Sequence, residues 1–215
     1  ASLPWLEVGT RAEFPHTQAS LLPSAKIGLG VFLAVATCLF ALLSSAYLMR
    51  TDSAVPDLAT GARLLPPSLL WVNTAVLAAS SIALQWASVS ARRGQRELLL
   101  GNLAAGGVAA TGFVAGQLLA WRLLAEGGHP LGSGPANDFF YLLTAAHALH
   151  VVGGLAVLSV TFVKALGETE PARLRLTIEL CAYYWHFLLL VWVALFGLLM
   201  GGVDALGSLC RALVT

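Results

Sequence analysis

The chain has 215 residues, of which 58% are hydrophobic and only 11% are charged, and its mean hydropathy is +0.80. Because a soluble domain carries about 25% charged residues, this composition excludes a water-soluble protein and indicates a polytopic membrane protein. The net charge of +1 gives no sign of nucleic-acid binding. Cys38, Cys181 and Cys210 lack the paired spacing of a disulfide framework or a thiolate metal site.

Five apolar runs are long enough to cross a membrane as helices, which takes about 20 residues each. We therefore predict an all-α fold, a bundle of five transmembrane helices, with spans near residues 27–49, 67–90, 98–122, 138–164 and 176–201. Helices are predicted because none of the runs alternates as the strands of a membrane barrel do. The connecting segments are rich in proline, glycine and charge, which is typical of loops.

The two ends of the chain are predicted to flank this membrane domain of residues 27–201. Residues 1–26 contain Glu7, Glu13 and three prolines, so they lack the apolar core of a signal peptide. We interpret them as a polar cytoplasmic segment, and residues 202–215 as a short outer tail.

Orientation follows from lysine and arginine, which accumulate on the cytoplasmic side. With the N-terminus inside, eight basic residues lie on inner segments: Arg11, Lys26, Arg92, Arg93, Arg96, Lys164, Arg173 and Arg175. Four lie on outer segments: Arg50, Arg63, Arg122 and Arg211. This asymmetry predicts a cytoplasmic N-terminus and an outer C-terminus.

Polar side chains at membrane depth are costly and are candidate functional groups. In chain order they are Asn73, Thr74, Ser80 and Ser81 in the second span, Gln117 in the third, His147 and His150 in the fourth, and Glu179 and His186 in the fifth. At about 1.5 Å per residue, Gln117 and the three histidines lie at similar depth and can meet inside the bundle. Spacings of three and seven residues put His147 with His150, and Glu179 with His186, on common helix faces.

Three interpretations of the histidines stay open. A bis-histidine haem needs opposed ligands on two helices, which only His186 facing His147 or His150 can supply. A proton relay uses histidines together with Glu179. Neutral imidazoles also form hydrogen bonds between helices.

Small and aromatic residues predict close helix packing. Gly112 and Gly116 form a small-residue face, and Gly153 with Gly154 thins the fourth span. Trp185 and Trp192 are seven residues apart, which indicates a packing or lipid-facing ridge.

An arginine cluster occupies the predicted inner loop between the second and third spans. Arg92, Arg93 and Arg96 could hold anionic lipid head groups at about 1 kcal/mol per charge. The same arginines are also what ordinary positive-inside topology requires.

Four motifs together resemble subunit III of the haem–copper oxidases. They are "LWVNTAVLAASSIALQWA" (70–87), "GFVAGQLLAW" (112–121), "FFYLLTAAHALHVVGGLAVL" (139–158) and "YYWHFLLLVWVALF" (183–196), which includes Tyr184, Trp185, His186 and Trp192. Their order is collinear, and the resemblance runs from Lys26 to Met200. It implies the five-helix form of the family, which lacks the first two helices of the longer form.

The resemblance implies a non-catalytic subunit of a proton-pumping terminal oxidase that passes electrons from cytochrome c to oxygen. It implies no haem, copper or other metal ligand in this chain; those groups belong to a catalytic subunit I and a copper-bearing subunit II. Expected roles are to stabilise subunit I, to support its proton uptake and to hold phospholipid. A larger respiratory assembly and a bacterial plasma membrane are further expectations.

The chain departs from the family pattern at two membrane carboxylates. Ala36 and Leu189 stand where the family carries acidic residues. These changes argue against proton conduction by the chain itself. Alternatives are an accessory subunit of a quinol oxidase or nitric-oxide reductase, and, in another class, a stand-alone transmembrane cytochrome or small transporter.

Overall fold

The computed structural model describes residues 21–52, 65–167 and 171–202. Within these ranges the chain forms five long helices and no strand: α1 (Leu21–Asp52), α2 (Pro67–Arg92), α3 (Arg96–Glu126), α4 (Pro135–Leu166) and α5 (Pro171–Gly197). A π-helical turn, Leu198–Gly202, continues α5. All five helices are long and apolar enough to cross a membrane. The predicted all-α bundle of five transmembrane helices is confirmed.

The apolar segments agree with the predicted spans to within a few residues. The largest differences are at the end of the third span, Glu126 against 122, and at the start of the fifth, Ala172 against 176. Helix α1 begins at Leu21, so residues 21–26 of the predicted N-terminal segment are helical. Residues 1–20 and 203–215 lie outside the described residues, and the predictions for both terminal segments stay predictions.

Glycines end two of the helices through the same hydrogen-bond pattern. At the end of α2, Gln95 N donates to Ser90 O (3.0 Å) and Gly94 N to Ala91 O (3.3 Å). At the end of α3, His129 N donates to Leu124 O (3.1 Å) and Gly128 N to Ala125 O (3.2 Å). Both patterns need a residue whose backbone has the left-handed conformation. Gly94 (φ 71°) and Gly128 (φ 85°) adopt it without the steric cost that a Cβ atom would impose.

Helices α2, α3, α4 and α5 form a ring, and α1 lies outside it. Helix α2 packs against α3 and α5, and α4 packs against the same two helices. Helix α1 packs against α4 and α5 from outside the ring. It is antiparallel to α4, because Tyr47 near its end contacts Phe139 near the start of α4 (ring centroids 6.1 Å).

One end of the bundle carries most of the lysine and arginine residues that the structure describes. Here α2 and α4 end and α1, α3 and α5 begin, and the basic residues are Lys26, Arg92, Arg93, Arg96, Lys164, Arg173 and Arg175. We call it the arginine-rich end. Lysine and arginine lie on the cytoplasmic side of membrane proteins, so this end is the predicted inner side, and the orientation stays a prediction.

Candidate functional site

Trp185 and Ser80 join three helices in the interior. Trp185 Nε1 donates to Ser80 Oγ (2.8 Å), and Ser80 Oγ donates to the carbonyl oxygen of Gly106 (2.8 Å). Trp185 and Ser80 are completely buried. The Ser80 hydroxyl on α2 thus accepts a hydrogen bond from α5 and donates one to α3. The buried indole N–H and the buried hydroxyl therefore both have hydrogen-bond partners.

A second tryptophan repeats the arrangement two turns along α5. Trp192 Nε1 donates to Thr74 Oγ1 on α2 (3.0 Å), and the indole is buried. Its ring packs edge-on against Phe113 of α3 (4.9 Å). The predicted tryptophan ridge is therefore a packing ridge that faces the core.

Asn73 and Gln117 form a polar contact between α2 and α3. Asn73 Nδ2 donates to Gln117 Oε1 at 3.5 Å, and both side chains are buried. The helices approach closely here because residue 116 is glycine: a Cβ on Gly116 would overlap the carboxamide of Asn73. Within the described residues, Gln117 Nε2 has no hydrogen-bond partner.

His147 lies at the centre of an aromatic cage. Its ring is fully buried and contacts Phe40, Phe113 and Trp192, with centroids 6.3, 5.7 and 5.1 Å away. Neither ring nitrogen has a hydrogen-bond partner in the described part of the chain. Among the described residues, this imidazole therefore does not make the hydrogen bond to another helix that one of the three interpretations of the histidines predicts.

His150 lies one turn further along α4 and points toward α1. Its Nδ1 is 2.7 Å from the Ala146 carbonyl oxygen of its own helix, and its ring contacts Phe32 and Phe40. Tyr184 Oη donates to its backbone oxygen (2.9 Å). Ala36 lies between Phe32 and Phe40 on α1 and is buried, so the first position at which the family resemblance leads us to expect a carboxylate is on the side of α1 that faces His150.

His186 lies on the outer surface between α5 and α2. Its Nδ1 is 2.6 Å from Ser81 Oγ and its Nε2 is 3.0 Å from Gln85 Oε1. An amide oxygen only accepts, so Nε2 donates to it, and Nδ1 of the neutral ring accepts from Ser81. His186 thus does bond to a neighbouring helix. Gln85 was not among the predicted site residues, although it lies one turn beyond Ser81 in the same span.

Glu179, the acidic residue among the predicted polar groups, pairs with an arginine. Arg92 Nε is 3.0 Å from Glu179 Oε1. Arg96 Nη2 donates to the carbonyl oxygen of Leu166 (2.8 Å) at the end of α4. Arg93 is exposed. Two of the three arginines of the predicted lipid cluster therefore also bind protein groups at the arginine-rich end.

A large apolar cavity lies between α1, α4 and α5. Its volume is about 510 Å³. It is lined by Leu29, Phe32, Leu149, Gly153, Leu180 and Tyr184, among others. The cavity lies where α1 packs against α4 and α5 from outside the ring.

The structure does not bring the predicted polar groups together in one site. His186 faces outward with both nitrogens engaged on the α2 side, whereas His150 faces α1 and His147 the core. These positions do not provide opposed imidazoles for a bis-histidine haem. The expectation that Gln117 and the three histidines meet is wrong, because His186 is turned away from the bundle interior.

Comparisons with known proteins identify the family of the chain. The family model described as cytochrome c oxidase subunit III matches residues 7–200. A probable cytochrome c oxidase subunit 3 of Mycobacterium tuberculosis (strain ATCC 25618 / H37Rv) is 39% identical over 85 residues, 39% of this chain and 41% of that protein. One of Nocardia farcinica is 34% identical over 128 residues, 57% and 61% of the two chains. The protein of Dugong dugon is 26% identical over 199 residues, 89% of this chain and 75% of the relative. The chain thus spans about half the length of the first two relatives.

Proposed function

The chain belongs to the cytochrome c oxidase subunit III family, and we propose from this that it is the non-catalytic third subunit of a haem–copper terminal oxidase. In this proposal it is an integral membrane protein that stabilises a catalytic subunit I. Subunit I and a copper-bearing subunit II hold the haem and copper. They pass electrons from cytochrome c to oxygen and pump protons. The observation that carries the proposal is the family match over residues 7–200.

The placement of the polar side chains supports a structural role. Ser80, Thr74 and Asn73 connect α2 to α5 and α3, and they do so through buried hydrogen bonds. Such bonds fix the register and spacing of membrane helices. A ring of four helices joined by buried hydrogen bonds is suited to stabilising a larger partner.

The chain supports proton uptake by its partner without conducting protons itself. Ala36 and Leu189 stand where the family carries carboxylates. In the described part of the chain, His147, His150 and His186 have separate surroundings and form no continuous path across the membrane. The arginine-rich end lies, in this proposal, on the cytoplasmic side of a bacterial plasma membrane. There its loops border the mouth through which subunit I takes up protons.

The apolar cavity binds a phospholipid acyl chain in this proposal. Its lining is aliphatic and aromatic, and such concave apolar sites between helices are typical ligand sites. Gly153→Leu would fill the cavity from α4, where no atom lies within 4 Å of a Cβ on this residue. We expect less co-purifying phospholipid from this variant than from Gly30→Leu, a control on the exposed side of α1. Equal lipid content would contradict lipid binding in the cavity.

Head-group binding is tested separately at the arginine-rich end. Replacing Arg92, Arg93 and Arg96 together with glutamine should lower the fraction of anionic lipid that co-purifies, while the amount of inserted chain stays the same. An unchanged anionic fraction would contradict head-group binding and leave these arginines with a role in membrane topology only.

The main proposal is tested by identifying the proteins that co-purify with the full chain from its native membrane. An affinity tag on this chain, used after mild detergent extraction, should recover a complex with haem absorbance, stoichiometric copper and oxygen consumption driven by reduced cytochrome c. Dissociating the complex should leave iron and copper with the partner subunits. Recovery of the chain without a haem protein, or with metal still on the isolated chain, would refute the proposal. Activity with quinol in place of cytochrome c would identify the quinol-oxidase alternative.

A further inference from the structure

We infer that the outer surface between α2 and α5 is the docking face for a transmembrane helix of a partner protein that presents a hydrogen-bond acceptor. We call this surface the α2–α5 face and define it by Ile82, Gln85, Tyr183, His186 and Leu190. The inference rests on the proposed function in one respect, since it specifies how the subunit meets its oxidase partner.

The α2–α5 face places polar groups inside the apolar part of the bundle. His186 and Gln85 are exposed, and each lies seven residues, about 10 Å along its helix, from its own helix's member of the Arg92–Glu179 ion pair at the arginine-rich end. Polar side chains inside a membrane face the interior of a bundle or pair with one another. His186 and Gln85 pair with one another, but they face away from this chain's own bundle, and the amide nitrogen of Gln85 has no partner among the described residues.

The hydrogen bonds of the face have a direction. The Ser81 hydroxyl donates to His186 Nδ1, and His186 Nε2 donates to Gln85 Oε1. The carboxamide nitrogen of Gln85 then carries two donors. It is exposed, and no hydrogen bond to it is formed within the described part of the chain. The network therefore ends in donors that point outward and require an acceptor.

Other exposed polar side chains on this bundle behave differently. The hydroxyls of Thr37, Thr111 and Ser159 donate to the carbonyl four residues earlier in their own helices, at 2.7, 2.9 and 2.8 Å. Such groups are satisfied internally and can face lipid. Gln85 has no comparable bond to its own helix.

We assign the acceptor to a protein group. Arg92 and Glu179, at the arginine-rich end, lie about 10 Å along the helices from Gln85 and His186, which is several times the length of a hydrogen bond to a lipid ester or phosphate oxygen. A partner helix with Ser, Thr, Asn, Gln or a carboxyl group at this depth fits. A backbone carbonyl of a closely packed partner helix fits as well, since the Gly106 carbonyl accepts from Ser80 in the same way. Ile82, Tyr183 and Leu190, which are 55%, 58% and 68% exposed, supply the apolar contact around it.

Site-specific photo-crosslinking of the full chain in native membranes tests the inference. A benzophenone side chain is placed at Ile82 or at Leu190, and the matched control position is Val108 on α3, which is 74% exposed on another side of the ring. We expect both test positions, and not Val108, to crosslink to a transmembrane segment of a different polypeptide. Lipid adducts alone at Ile82 and Leu190, crosslinks to a second copy of this chain, or equal crosslinking at Val108 would overturn the inference.

A second variant tests the hydrogen bond that the Gln85 amide donates to the partner's acceptor. Gln85→Leu should lower the crosslinking yield at Leu190 about three- to ten-fold, as expected for one interhelical hydrogen bond in a membrane. Ile82→Leu is the apolar control, and the yield is compared at equal amounts of inserted chain. An unchanged yield with Gln85→Leu would contradict the role of the amide. If the tagged chain recovers a haem protein but the α2–α5 face does not crosslink to it, this inference fails and the proposed function stands; if no haem protein is recovered, the proposed function fails.

Discussion

Trp185 Nε1 lies 2.8 Å from Ser80 Oγ in the fully buried interior between α5 and α2. Because Ser80 also donates to the Gly106 carbonyl, one hydroxyl connects three of the five helices. Only a side chain that both donates and accepts can occupy this position, and serine is small enough to allow the three backbones to approach.

Ser80→Ala is expected to destabilise the bundle by about 1–2 kcal/mol, because it leaves a buried indole N–H without an acceptor. Reversible unfolding of the purified chain in mixed micelles measures the change in the free energy of unfolding. Ser159→Ala is the matched control, since this exposed hydroxyl bonds only to its own helix. Equal losses in the two variants would show that the contact between Trp185 and Ser80 contributes nothing.

Adjacent glycines on α4 give a second test. A Cβ on Gly154 would lie 2.7 Å from Tyr184 Cε1 and 2.8 Å from Trp185 Cζ3, whereas a Cβ on Gly153 would have no atom within 4 Å. We expect Gly154→Ala to cost about 1–3 kcal/mol through overpacking. Gly153→Ala should be neutral or slightly stabilising, because alanine favours helix. Thermal unfolding of both variants in the same detergent decides the point, and a reversed order would contradict the packing of α4 on α5.

The fold could be predicted from the sequence because the bilayer restricts the solutions. Apolar length sets the number of helices, and all five predicted spans are present. The boundaries were less accurate where charge lies inside a helix. The segment before residue 176 was predicted as a loop, yet α5 begins at Pro171, since Arg173 and Arg175 can extend their charged ends toward the membrane surface.

The candidate site was harder to predict because depth does not define direction. His147 and His150 share a face by spacing, but helix geometry separates them by about 60° around the axis. His147 packs against rings of α3 and α5, whereas His150 is turned toward α1. The pairing of His186 with α2 depends on which helices are neighbours in the ring, and sequence spacing carries no such information. Gln85 was missed for the same reason.

The aromatic cage around His147 leads to a third prediction. His147→Phe should unfold within about 1 kcal/mol of the wild type, because an apolar ring replaces a buried polar ring that makes no hydrogen bond to the described protein groups. His147→Gln should lose about 1–3 kcal/mol, since it buries an amide among Phe40, Phe113 and Trp192. The free energies of unfolding of the two variants are compared directly. A more stable Gln variant would mean that this position needs a polar side chain.

The ion pair between Arg92 and Glu179 gives the last prediction. The two side chains are 61% and 22% exposed, and a partly solvated pair contributes about 0.2–1 kcal/mol. We expect a double-mutant cycle of Arg92→Gln and Glu179→Gln to give a coupling energy in this range at low salt. It should fall at high salt, since exposed charges are screened. The control cycle combines Arg93→Gln with Glu179→Gln. Its coupling energy should be smaller, because Glu179 pairs with Arg92 in the structure. A coupling that is large and insensitive to salt would instead indicate that lipid or a partner protein shields the pair from solvent in the measured state.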